Sequence, residues 1–132
     1  MCLINRNESL KKVRNFTIKP KIKKNDILVD EIIGVQKIVC NNGIMKTIYK
    51  FEKGIVVSCL NINEYYNEKF KNIMFDLYNK MSTKNLKLEG NIVTYEWNDS
   101  FFNEKGKDAT PYEIKKFLKK TKWKVTVKYK NI

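Results

Sequence analysis

Residues 122–130, Lys-Trp-Lys-Val-Thr-Val-Lys-Tyr-Lys, alternate without a break between an apolar set (Trp123, Val125, Val127, Tyr129) and a polar set (Lys122, Lys124, Thr126, Lys128, Lys130). A period of two belongs to a strand, whose successive side chains leave on opposite faces. This segment must therefore lay its apolar set on a core and hold its lysines in water or against a partner. Trp123 and Tyr129 are read as core residues on this pattern. A single strand cannot bury one face alone, so the rest of the chain has to supply a sheet.

It does so in several places. Residues 16–24 alternate Phe16, Ile18 and Ile22 with Thr17, Lys19, Lys21 and Lys23, and Pro20, which lacks an amide hydrogen, assigns this strand to a sheet edge. Residues 27–33 are a further apolar segment. Residues 35–51 carry Asn42-Gly43 at their middle, two residues that tolerate positive φ, and so predict a hairpin. Lys37, Lys46 and Lys50 interrupt its alternation, which leaves open which face is buried. Residues 54–60 form a short, continuously apolar strand.

From Asn61 the period lengthens. Tyr66, Phe70, Ile73, Leu77 and Met81 follow at spacings of four, three, four and four, an amphipathic helix with Asn61 or Asn63 as its cap. Residues 86–89 and 92–97 flank Gly90-Asn91 as a second hairpin, and residues 99–108 read as a polar loop holding Phe101 and Phe102. Thr110-Pro111-Tyr112-Glu113 then combines an N-cap hydroxyl, proline at the first helical position and the glutamate of a capping box. Ile114, Phe117 and Leu118 form the apolar side of that helix, and Lys115, Lys116, Lys119 and Lys120 cover the rest. The order predicts an α+β fold: a mainly antiparallel sheet of about five to seven strands with two helices, in a single domain over residues 1–132. Two helices are too few to cover both faces, so part of one face is left to solvent or a partner.

Charge is placed unevenly along this domain. Residues 1–25 hold eight Lys and Arg against Glu8, residues 114–132 hold eight Lys and no acid, and the intervening residues hold eleven Lys against thirteen acids, which sums to the net +13. The chain is also rich in Asn and Ile, with one Ala and two Arg, as an AT-rich genome produces. Codon bias spreads lysine evenly, so clustering at the two ends points instead to a surface for an anionic partner. The residues assigned to it are Lys19, Lys21, Lys23, Lys115, Lys119, Lys122, Lys124, Lys128 and Lys130. Phe101 and Phe102 are the aromatic pair available to anchor a protein partner, or else to fold back over the core.

Several chemistries are excluded at the level of composition. The chain has no histidine, so Ser-His-Asp triads, Cys-His pairs and His-ligated metals are absent. The five glycines form neither a G-x-G-x-x-G nor a P-loop pattern. Cys2, Cys40 and Cys59 lack metal-like spacing; Cys40 and Cys59 sit in apolar runs and are read as core thiols. Glu113-Ile-Lys115 matches a short nuclease fragment, but its position in the first turn of a helix assigns Glu113 to capping. No apolar run spans a bilayer and the N-terminal apolar stretch is too short for a signal peptide, so the expectation is a cytoplasmic protein without membrane contact.

These readings converge on a non-enzymatic binding protein without metal or cofactor. Its expected partner is nucleic acid, contacted along the backbone without base specificity, since the basic ends hold lysine where base readout favours arginine. Two alternatives remain open. One is a phage or mobile-element inhibitor of a host nucleoprotein such as a CRISPR effector, which binds an acidic or nucleic-acid-binding protein surface. The other is a metal-free ribonuclease toxin.

Overall fold

The computed structural model describes residues 26–81, 83–97 and 109–131. A 3-10 turn at Asp26–Leu28 leads into β1 (Val29–Ile38), and β2 (Gly43–Glu52) and β3 (Ile55–Tyr65) follow as successive antiparallel hairpins. Helix α1 (Glu68–Lys80) crosses back over the sheet to a second hairpin of β4 (Thr83–Glu89) and β5 (Ile92–Trp97). Helix α2 (Pro111–Lys120) then delivers the last strand, β6 (Lys124–Tyr129), to the far side of β1. Among the described residues the sheet has six strands in the order β4-β5-β3-β2-β1-β6, all antiparallel, so the α+β reading holds.

Local sequence explains the turns. Gly43 has a φ of 152° and packs against the β3 backbone so closely that a Cβ there would overlap the Glu64 carbonyl oxygen. The β2–β3 turn is made by Lys53 and Gly54, with φ of 52° and 80°. Two consecutive positive values give the hairpin turn whose twist matches the flanking strands. Helix α2 starts as its motif requires. The Thr110 Oγ1 accepts from the Glu113 amide at 3.3 Å while the Thr110 amide donates to Glu113 Oε1 at 3.2 Å, and Pro111 occupies the first turn.

Both helices pack on one face of the sheet and build two adjacent cores. Under α2, Ile114 and Leu118 meet Val29, Ile32, Phe51 and Val56, with Trp123, Val125 and Val127 of the β6 segment along the side. Under α1, Tyr78 joins Ile38, Tyr65, Val93 and Tyr95, with Phe70, Met74 and Phe75 packed around them. Buried polar groups of the central strands lie on this same face and are paired. The Asn63 amide donates to the hydroxyls of Tyr65 at 3.2 Å and Tyr78 at 3.3 Å, and Tyr78 stacks on Tyr95 with ring centroids 4.2 Å apart.

The structure corrects four details of the sequence reading. Asn61 and Asn63 lie inside β3 and are buried, and α1 is capped by Asn67, whose side chain accepts from the Phe70 amide at 2.9 Å. Of the expected apolar stripe on α1 only Phe70 reaches the core; Tyr66, Ile73, Leu77 and Met81 are exposed, and Met74, Phe75 and Tyr78 take their place. Cys40 is exposed in the β1–β2 turn, where its φ of 59° takes it out of the strand, whereas Cys59 is buried as expected. Trp123 is half-buried against the α2 core, but Tyr129 at the end of the edge strand is 56% exposed. The expected strand with Pro20 and the loop with Phe101 and Phe102 lie outside the described residues.

Candidate polyanion-binding face

The pairing registers fix what stands on the opposite face of the sheet, which no described helix covers. Residues paired across antiparallel strands project to the same side, so four rows can be followed from β4 towards β6. The first runs Glu89, Ile92, Glu64, Ile44, Lys37. The second runs Lys87, Thr94, Ile62, Lys46, Val35, Lys124. The third runs Lys84, Glu96, Leu60, Ile48, Ile33, Thr126. The last runs Ser58, Lys50, Glu31, Lys128.

Charge divides this face into two halves. The β2-β1-β6 half carries Lys37, Lys46, Lys50, Lys124 and Lys128 against two acids, Glu31, whose Oε2 is 3.9 Å from Lys50 Nζ, and Glu52, which follows the buried Phe51 at the end of β2. The β4-β5-β3 half carries Lys84 and Lys87 against Glu64, Glu89 and Glu96. Lys124 and Lys128 were placed together on one strand face by the alternation of the last strand. Lys37, Lys46 and Lys50 were not, because they break the alternation of β1 and β2 in sequence. The sheet explains the break: Ile33, Val35, Ile44 and Ile48 share this uncovered face with the three lysines, so apolar and cationic side chains are mixed on one side.

The spacing of the lysines follows from strand geometry. Positions four apart on a strand are about 13 Å apart and strands two apart are about 10 Å apart, so Lys46, Lys50, Lys124 and Lys128 mark a rectangle of about 13 by 10 Å. Lys46 is half-buried among aliphatic register partners, Ile62 on one side and Val35 on the other. A long alkyl stem suits that position, because it covers apolar surface while its ammonium stays in solvent. The face is aliphatic between its charges, with no aromatic residue in any of the four rows.

The remaining C-terminal lysines lie off the paired rows of this face. Lys115 and Lys119 are on α2, in the layer on the other side of the sheet. Lys122 occupies the turn after α2 with a φ of 66°, and Lys130 follows β6 with its amide donating to the Leu28 carbonyl at 2.7 Å. The structure therefore joins Lys124 and Lys128 to lysines of the central strands rather than to those of α2. Lys19, Lys21 and Lys23 lie outside the described residues, as do Phe101 and Phe102.

The titratable groups with displaced pKa values are on the covered face and all favour their neutral forms. Burial, the largest cause, pushes the Cys59 thiol up, opposed by hydrogen bonds from its neighbours Thr47, Tyr49 and Asn61. Burial likewise raises the hydroxyls of Tyr49, Tyr65, Tyr78 and Tyr95. A neutral buried thiol is a packing group and not an activated nucleophile. Glu113 is committed to the α2 capping box, which supports its assignment to capping. Among the described residues no three His, Cys, Asp or Glu side chains converge as a metal site, and no described helix is long and apolar enough to cross a membrane. No family model matches the chain, and neither a curated protein nor a solved structure matches it.

Proposed function

We propose that this protein binds nucleic acid along its phosphate backbone, through the lysines of the β2-β1-β6 half of the uncovered sheet face. The observation that carries this reading is the gathering of Lys37, Lys46, Lys50, Lys124 and Lys128 from three adjacent strands against two acids, Glu31 and Glu52. Five like charges spread over about 20 Å of strand repel one another and favour an anion that neutralises them together. Duplex DNA presents one phosphate charge per about 1.7 Å of axis, so a length of about 20 Å offers about twelve to the five lysines. Single-strand platforms stack bases on aromatic rings, and this face is aliphatic, which favours backbone contact on a duplex.

Fluorescence anisotropy with a labelled 20-base-pair duplex of arbitrary sequence at low salt tests the proposal. The wild-type chain should bind, and the variant with Lys46→Gln and Lys124→Gln should bind at least tenfold more weakly while keeping its circular dichroism spectrum. Absence of binding by the wild type would overturn the reading.

A further inference from the structure

Among the described residues the sheet has two edges, β4 and β6, and they are finished differently. Along β4 the register slips between Lys84 and Lys87, Asn85 adopts a φ of 56°, and its side-chain amide donates to Glu96 Oε2 at 2.7 Å. A bulge of this kind interrupts the regular row of backbone groups on which another strand would form. In β6 the register with β1 runs unbroken from Lys124 to Lys128. The Lys130 amide points at β1, where it donates to Leu28, and strand alternation then turns the amides and carbonyls of Val125, Val127 and Tyr129 outward.

The side chains of β6 select what can pair with those groups. A second copy of the chain, added edge to edge, would set Lys124 and Lys128 against its own lysines, and like charges directly opposite one another destabilise a strand pair. An acidic strand meets the reverse situation. Its carboxylates would stand opposite Lys124 and Lys128 on the uncovered face, and its intervening residues would stand opposite Val125 and Val127 on the face under α2, where both valines are half-buried. We infer that the β6 edge accepts an extended segment of a partner protein that alternates acidic and apolar residues, added as a seventh, antiparallel strand. This deepens the proposed function in one respect and rests on it there: Lys124 and Lys128 serve both ligands, so an acidic strand and nucleic acid exclude each other.

The probe is the peptide acetyl-Thr-Glu-Val-Glu-Val-Glu-Thr-amide, added to the isotopically labelled full chain. In the inferred pairing its valine amides face β6, so a second peptide with both valines N-methylated keeps the charge and loses the strand bonds. The parent peptide should slow hydrogen exchange at the Val125, Val127 and Tyr129 amides by at least tenfold, and the methylated peptide should leave them unchanged. Unchanged exchange with the parent peptide would overturn the inference, as would equal slowing by both peptides, which is the signature of charge attraction alone. The exchange readout does not involve nucleic acid, so failure of the duplex to bind would defeat the proposed function and leave this result standing.

Discussion

Lys46 and Lys124 are both paired with Val35, one from each side. Two lysines 78 positions apart in sequence thus stand on one sheet face with a single aliphatic side chain between them, and Lys50 and Lys128 repeat the relationship across Glu31. Glu31 relieves only part of that repulsion. The stability of this half of the sheet therefore depends on ionic strength in the absence of a ligand. Raising salt from about 20 to 200 mM should increase the urea midpoint of the free chain, and replacing Glu31 by Gln should make that increase larger. A midpoint that falls with salt would mean that the five lysines are not mutually destabilising.

Helix α2 depends on its first turn. Thr110 is buried and exchanges two hydrogen bonds with Glu113, so Thr110→Ala should cost about 1 kcal/mol in urea unfolding with an unchanged m value. Glu113→Gln preserves the capping box and should cost less.

The two faces of α1 and α2 make a sharper contrast. Leu118 is 1% exposed in the α2 core whereas Leu77 is 46% exposed on α1, although both belong to apolar helical stripes in the sequence. Leu118→Ala should destabilise by about 2–5 kcal/mol and Leu77→Ala by no more than about 0.5 kcal/mol, compared by chemical denaturation.

That contrast also shows what the sequence could and could not reveal. The capping box at Thr110 and the turn at Gly90-Asn91 were legible because each rests on the local chemistry of two to four adjacent residues. The expected β1–β2 hairpin turns not at Asn42-Gly43 but at Cys40 and Asn41, which take positive φ values while Asn42 has a φ of −84° and Gly43 begins β2. Helix α1 has a second apolar series, Phe70, Met74 and Tyr78, beside the stripe of Ile73, Leu77 and Met81. Both fit a helical period, and only the position of the helix over β3, β4 and β5 decides between them. The Lys53-Gly54 turn was missed because lysine carries no preference for the positive φ it adopts. The sequence pattern divides residues 27–33 from 35–51 at Gly34, but β1 is continuous there. A Cβ at Gly34 would come within 3.1 Å of Thr47 Cγ2 and Trp123 Cε3, so the glycine answers to the packing of a distant segment. The lysines of β1 and β2 stayed unassigned for the same reason: sheet order is a long-range property.

Close packing also predicts the effect of substitution at Gly43. Its side-chain position is filled by the backbone of β3, which cannot yield as a flexible side chain would. Gly43→Ala should cost about 3 kcal/mol or more, through backbone strain and displacement of the central hairpin. A thermal midpoint within a degree of wild type would contradict that packing.

The buried hydroxyls set an alkaline limit. Tyr49, Tyr65, Tyr78 and Tyr95 have pKa values raised above the ordinary 10.0, chiefly by burial. Between 10 and the raised values the folded chain keeps protons that the unfolded chain has lost, so their stabilisation is whole below pH 10 and is lost as pH rises. In a variant with the exposed Tyr66, Tyr112 and Tyr129 changed to Phe, tyrosinate absorbance and far-ultraviolet circular dichroism should therefore change together, in one cooperative step above pH 10. Smooth tyrosine ionisation with the fold intact would contradict it.

The most direct test of the phosphate-binding account is the salt dependence of duplex affinity. With about five phosphates neutralised, log affinity should fall against log salt with a slope of about −4.5, a loss of about 500-fold between 50 and 200 mM. Changing Lys37, Lys46, Lys50, Lys124 and Lys128 together to Gln should remove about four units of that slope, whereas changing Lys115, Lys116, Lys119 and Lys120 of α2 should remove less than two. Equal losses from the two sets, or a wild-type slope near zero, would contradict the assignment of this face as the nucleic-acid interface.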